Sequence, residues 1–464
     1  MAGVGYRRRA RRRAVSITMH VLSLRALFFF GLASCAAAQP TAREDGGSPS
    51  AAPSPMPPNV LMIVGDDVSW GDVPGLGEEP LDMPALARLA AEGVKFPVAY
   101  SAASICSPAR AALLTGRYPH RYGHENNTGD IQRQLEQGIG LPLGEPTVAE
   151  AMRDAGYATG LVGKWHLGAG EEFHPLARGF DEYFGFLGGG HDHLIWKDPE
   201  RGPILRGREP VYGEGWITDA FTEEALAFLG RHADEPFFLM VSYDAVHPPL
   251  AASEERLARF AAIEDERRRT YAAMLASLDE GLGRLLDELE RLEIADRTVV
   301  LFLADNGGEP ANGGAEGPFR GGKRTMYEGG LRIPLLARFP GTEPATYPFP
   351  VSVFDVSQTV LSAAGAELTD GIETDGFDLA GLIRTGEPPA REALYWRQGF
   401  TRAMRFGPWK MIRRGRVPPK LYNLELDPQE QQDVARKNPD TVRHLRILYD
   451  GWESQMADAL WNWK

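Results

Sequence analysis

Cysteine is nearly missing from this chain of 464 residues, which has Cys35 and Cys106 and no other. Two cysteines cannot build a disulfide framework, so the fold must rest on its core. No Cys-x-x-Cys spacing suggests a soft-metal site. A basic surplus is missing too. The formal net charge is -13, although residues 1–34 hold seven arginines and no acid, so the remainder is more acidic still. That balance argues against nucleic acid as a partner, while leaving room for an anionic substrate at a site with local cations. No internal repeat is present. Hydrophobic content of 43% and charged content of 24% describe an ordinary globular chain, long enough for one large domain and a small one.

The first cysteine belongs to a leader. A basic stretch precedes "LRALFFFGLASCAAAQP" (24–40), whose apolar core is too short to span a bilayer and has signal-peptide proportions. Leu32-Ala33-Ser34-Cys35 resembles a bacterial lipobox, which would make Cys35 a lipidated first residue; ordinary cleavage near Ala38 is the alternative. Either way an exported protein is expected, periplasmic or at the cell surface, touching a membrane only through the lipid anchor. Residues 1–35 are read as this leader. Residues 36–57, rich in Ala, Ser and Pro, are read as a tether.

Four later segments share one grammar, an apolar run followed by polar residues: "NVLMIVGDD", "ATGLVGKWH", "PFFLMVSYDAVH" and "TVVLFLADNGG". Such runs suit strands buried on both faces of a parallel sheet. Helical periodicity lies between them, clearest over 270–292, where leucines recur at three- and four-residue steps. The expectation is an α/β fold, with a large, mostly parallel sheet sandwiched by helices. Residues 58–344 would form this catalytic part. Residues 345–464 would form a smaller α+β part, with short strands and a closing helix running to Trp463. Ligands of open α/β sheets bind beyond the carboxyl ends of the strands. Asp66, Asp67, Lys164, His166, His247, Asp305 and Asn306 all stand at such ends.

The second cysteine opens "CSPARAALLTG" (106–116). Ser107 and Pro108 suit an N-cap and first helical residue, and Gly116 a helix end. Cys106 then lies at a helix N-terminus with Arg110 one turn on, a setting for an oxyanion or for a thiolate nucleophile. Asp66, Asp67, Asp305 and Asn306 offer oxygen alone, which suits Ca²⁺ or Mg²⁺. Lys164, His166, His247 and Lys323 add cations and proton-transfer groups. Together they describe transfer of a sulfuryl or phosphoryl group.

Cys106-Ser107-Pro108-Ala109-Arg110 followed by "AALLTGRYPHRYG" resembles the signature of the type I, arylsulfatase-like sulfatases, whose fold is that of the alkaline phosphatase superfamily. The resemblance continues, in order, through "GKWHLG", "GFDEYFGFLGGGHDH", "ADNGG", "GGKRTMYEGGLRIP" and "LYNLELDPQEQQDVA". It implies a mixed sheet, a short antiparallel C-terminal sheet and sulfate-ester hydrolysis. It also implies that a formylglycine-generating maturation enzyme oxidises Cys106 to formylglycine, whose hydrate attacks sulfur and later expels sulfate. By motif position, Asp66, Asp67, Asp305 and Asn306 would hold Ca²⁺, which also meets residue 106, while Mg²⁺ fits the family less well. Arg110 would stabilise the nucleophile, Lys164 and Lys323 would bind sulfate, His247 or Lys323 would protonate the leaving oxygen, and His166 would be the later base. His191, after three glycines, is a substrate-pocket candidate, with a structural turn as the alternative. A sulfated carbohydrate is the expected substrate. A phosphonate or phosphodiester hydrolase of the same superfamily, or a lipoprotein that binds sulfated glycans without catalysis, are the competing readings.

Overall fold

The chain alternates strand and helix from Asn59 to Arg338 and then changes texture, as its hydrophobic pattern suggests. The structure is a computed structural model that describes residues 56–461, except Glu79 and the Asp370 side chain. The leader with Cys35, and nearly all of the tether, lie outside the described residues.

Six strands carry the main sheet: β1 (Asn59–Gly65), β2 (Ala158–Lys164), β3 (Glu182–Phe186), β4 (Phe237–Ser242), β5 (Thr298–Ala304) and β6 (Leu335–Arg338). Their order is β6-β5-β1-β4-β2-β3, and short strands at both edges bring the sheet to ten. The four runs read from the sequence are β5, β1, β4 and β2, mutually parallel neighbours at the centre. β6 runs antiparallel to β5, which makes the sheet mixed. Every residue of β1, β4 and β5 is buried, as strands covered on both faces must be. Register aligns their carboxyl ends. Gly65 pairs with Ala304, and Val64 with Ser242, so Asp66 and Asp305 leave the sheet side by side.

Two helical layers cover it. On one face lie α1 (Pro84–Glu92), α4 (Ile217–Arg231) and α5 (Glu266–Arg291); on the other lie α2 (Cys106–Thr115), α3 (Val148–Asp154) and α6 (Val353–Ala364). α5 begins four residues before the leucine periodicity because the Asp265 carboxylate accepts the Arg268 amide. Its stripe of Leu275, Leu278, Leu282, Leu285, Leu286 and Leu289 is wholly buried. No helix among the described residues is long and apolar enough to cross a membrane.

Residues 345–364 stay with the main layers, since 345–346 pairs with 94–95 and α6 packs on α2 and α3. A separate antiparallel sheet then forms from β7 (Ala393–Gln398), β8 (Thr401–Phe406), β9 (Trp409–Arg414) and β10 (Lys420–Asn423). The closing helix α7 (Pro439–Glu453) stops ten residues short of Trp463. Beyond it the backbone donates sideways rather than along a helix, Ala457 N to His120 O and Leu460 N to Gly123 O, both at 2.9 Å.

Buried charges join this sheet to the main body. Lys410 Nζ donates to Glu328 Oε1 at 2.8 Å and lies 3.1 Å from Glu430 Oε1. Arg332 and Tyr100 donate to the other Glu328 oxygen.

Candidate active site

Cys106 opens α2 two residues earlier than its sequence suggests. Ile105 is the N-cap, and Pro108 falls within the first turn, where backbone N–H groups have no helical partner to lose. The Ser107 hydroxyl therefore does not cap. It donates to His166 O and sits 2.7 Å from His124 Nε2. Gly116 ends the helix at a left-handed φ of 66°, as expected. All ten residues of α2 are buried.

The three acids converge on Cys106. Ligand atoms of Asp66, Asp67, Asp305 and Cys106 lie within 4.8 Å of one another. Asp66 is held by the β4 turn, its N–H donating to Ala245 O at 3.0 Å and its C=O accepting from Val246 N at 2.7 Å. Asp305 Oδ1 accepts from the amides of Asn306 and Asp67. Asn306 Nδ2 donates to Asp67 Oδ1 at 2.7 Å, while Asn306 Oδ1 is buried without a partner. Three carboxylates and an orphaned amide oxygen form an all-oxygen set that fits a hard divalent cation.

Each acid also has its own cation. Lys164 Nζ donates to Asp66 Oδ2. Lys323 Nζ donates to Asp67 Oδ2 at 2.7 Å and to Cys106 Sγ at 3.1 Å. Arg110 Nε donates to Asp305 Oδ2 at 2.9 Å, its Nη1 to Ser242 Oγ at 2.6 Å, and its Nη2 has no hydrogen-bond partner. Burial opposes the charge on Asp67, but Lys323, His247 and Lys164 outweigh it and hold the carboxyl below the usual range. Burial likewise opposes the charge on both lysines, and Asp66 beside Lys164 and Asp67 beside Lys323 reverse the sign, so each stays charged. Burial pushes the Cys106 thiol up to about 12 against the pull of the two lysines. Burial thus works against a resting thiolate at the helix start.

His166 arrives by a turn rather than along an extended strand, since its φ is 62°. Its Nδ1 has no partner, and burial with Lys164 and Arg110 nearby holds the ring well below its usual pKa, hence neutral. His247 is lowered by burial and Lys164 as well, and its Nδ1 lies 2.8 Å from Pro248 O. Two of the three glycines meet these rings. A Cβ on Gly189 would come 2.7 Å from His166 Nε2, and one on Gly190 2.7 Å from His247 Nδ1. Gly189 and Gly190 are thus a packing requirement of the two imidazoles. Gly189→Ala is expected to displace His166 and lower kcat about 10²-fold with the far-ultraviolet circular dichroism unchanged; an unaltered kcat would contradict this.

His191 does not face the pocket. It is buried, with Nδ1 2.8 Å from Asp192 O and Nε2 2.9 Å from Gly202 O, and its ring lies against Phe186. A backbone carbonyl stands at each ring nitrogen, and the nitrogen that carries the proton donates to its carbonyl, which ties the ring into the 190–203 loop. His120 and His124 have a helical metal-pair spacing but sit on no shared helix. They part company, one going to Arg397 O and the other to Ser107 Oγ. Sequence reasoning missed Ser242, Asp244 and His124. Ser242 and Asp244 stood in a strand ending already singled out, whereas nothing local marks His124.

A family model described as Sulfatase matches residues 58–366. N-acetylgalactosamine-6-sulfatase of Sus scrofa is 38% identical over 380 residues, covering 77% of this chain and 72% of that protein. Arylsulfatase A of Homo sapiens is 33% identical over 453 residues, covering 84% and 87%. Among solved structures, that of Ps i-CgsB in complex with k-i-k-neocarrahexaose superposes with a TM-score of 0.82 at 31% identity, covering 88% of this chain and 95% of the other.

Proposed function

Since this chain belongs to the sulfatase family and is a sulfate-ester hydrolase, we propose that it desulfates carbohydrates, using formylglycine formed from Cys106 and one Ca²⁺ ion. The carbohydrate substrate is supported by the relatives that act on or bind such molecules, as their names state. One observation carries the mechanism: three acids and three cations are interleaved around a single buried side chain at the start of α2.

Asp66, Asp67, Asp305 and Asn306 would hold the calcium. Bound there, it would supply Lewis acidity toward a sulfate oxygen and toward residue 106. Lys164 and Lys323 keep their charges and suit the remaining sulfate oxygens. Arg110, with Nη2 making no hydrogen bond and lying 3.7 Å from Asp66 Oδ2, and the rest of its guanidinium locked by Asp305 and Ser242, suits the developing negative charge on the nucleophile. Of the two candidate proton donors to the leaving oxygen, Lys323 fits better. His247 has Nδ1 turned to Pro248 O and a ring held neutral by burial and Lys164. His166, neutral with a bare Nδ1, suits a base. The apolar leader at residues 24–40 supports an exported enzyme, and thus a substrate met outside the cytoplasm.

The test is a substrate panel of 4-nitrophenyl sulfate, sulfated mono- and disaccharides and a phenyl phosphonate monoester. Sulfated saccharides are expected to be turned over, with elemental analysis giving one calcium per chain. Stripping that calcium should lower the rate about 10²-fold or more. Preference for the phosphonate over every sulfate would overturn the reading, and full activity after stripping would remove the metal from it.

A further inference from the structure

Asp244 stands at the edge of the site, and the mechanism above gives it no task. It follows β4, is fully buried, and its carboxylate lies within 4.8 Å of ligand atoms of Asp66 and His247. The two oxygens are treated differently. Oδ2 accepts the His191 amide at 3.0 Å, and His193 Nε2 lies 3.9 Å from it. Oδ1 is buried with no partner at all. The backbone around it is braced, with His247 N donating to Asp244 O at 2.7 Å and His193 Nε2 3.1 Å from His247 O. So one oxygen fixes the side chain, and the other is left bare on a carboxylate that lies beside Asp66 and His247.

Buried carboxylate oxygens are kept bare at a cost, and a ligand donor is the usual reason. A second cation is a poor candidate for this corner, because Lys164 already brings its ammonium to Asp66 there. An anion is excluded by charge. What remains is a neutral donor on the substrate. We propose, resting on the carbohydrate reading above, that Asp244 is a specificity-determining residue whose free oxygen accepts an O–H or N–H on the sugar carbon next to the sulfate ester. A buried group that needs a donor discriminates strongly against analogues lacking one. The same carboxylate would repel a second sulfate at that position, so the substrate class is a sulfate ester flanked by a free hydroxyl or amide.

The experiment compares wild type with Asp244→Asn, which keeps an acceptor for the His191 amide, and with Asp244→Ser. Each is assayed on 4-nitrophenyl sulfate, on the best sulfated monosaccharide, and on its analogues lacking one flanking hydroxyl or N-acetyl group. The ratio of kcat/KM for sugar to that for aryl sulfate should fall at least tenfold in both variants, mainly through KM. In wild type one analogue should be at least tenfold worse than the parent, and that difference should shrink in the variants; which analogue it is tells hydroxyl from amide. An unchanged ratio, or a wild-type penalty that survives both substitutions, overturns the assignment. Wild type that cleaves the aryl sulfate and no sugar overturns the carbohydrate reading itself, and this assignment with it.

Discussion

Cys106→Ala is expected to abolish turnover of 4-nitrophenyl sulfate, with kcat reduced at least about 10⁴-fold. Nothing near residue 106 offers a substitute nucleophile. The Ser107 hydroxyl points away, engaged by His166 O and His124. The fold should barely notice. Alanine removes one buried sulfur, a loss of about 1 kcal/mol, and Lys323 keeps its bond to Asp67. Thermal unfolding of the variant beside its activity separates these outcomes. Mass spectrometry of the peptide carrying residue 106 in the active wild type completes the test, because formylglycine replaces the thiol with a carbonyl oxygen. An active alanine variant, or an active wild type whose peptide still carries cysteine, would end the formylglycine reading.

Lys410→Met should be the most damaging substitution for stability, costing about 3–5 kcal/mol. Methionine nearly matches the side chain in volume, so the loss reports charge rather than a cavity. Lys410 is fully buried between Glu328 and Glu430, with side-chain exposures of 0% for all three. Burial opposes the charge on Glu328, and Lys410 and Arg332 hold its carboxyl below the usual range. Without Lys410, Glu430 loses its cation, and Glu328 keeps Arg332 and Tyr100 alone. Denaturant unfolding measures the effect. A loss under about 1 kcal/mol, the size found for exposed pairs, would show that water reaches this cluster. Glu328→Gln combined with Lys410→Met should recover part of the loss, because the pair then leaves together.

The parallel core was legible because its strands are continuous apolar runs, and only a strand covered on both faces needs that. The positions of Asp66, Lys164, His247 and Asp305 followed from one rule about carboxyl ends, since β1, β2, β4 and β5 turned out to be neighbours. Local chemistry was less reliable where a tertiary partner competed for the same group. The Ser107 hydroxyl suits a helix cap, yet a carbonyl from the β2 turn takes it. His191 looked available after three glycines, yet its ring is buried with a backbone carbonyl at each nitrogen. Two of those glycines, Gly189 and Gly190, are clearance for His166 and His247.

By itself the sequence determined the fold class and the family, because hydrophobic period and motif order are properties of the chain in one dimension. The tertiary structure alone decided which acid faces which cation, how burial raises the Cys106 thiol, and which carboxylate oxygen is left bare at Asp244. Those depend on distances between residues 40 to 256 positions apart, from Cys106 and Asp66 to Lys323 and Asp67. At such separations only packing sets the few ångströms over which charges and hydrogen bonds act.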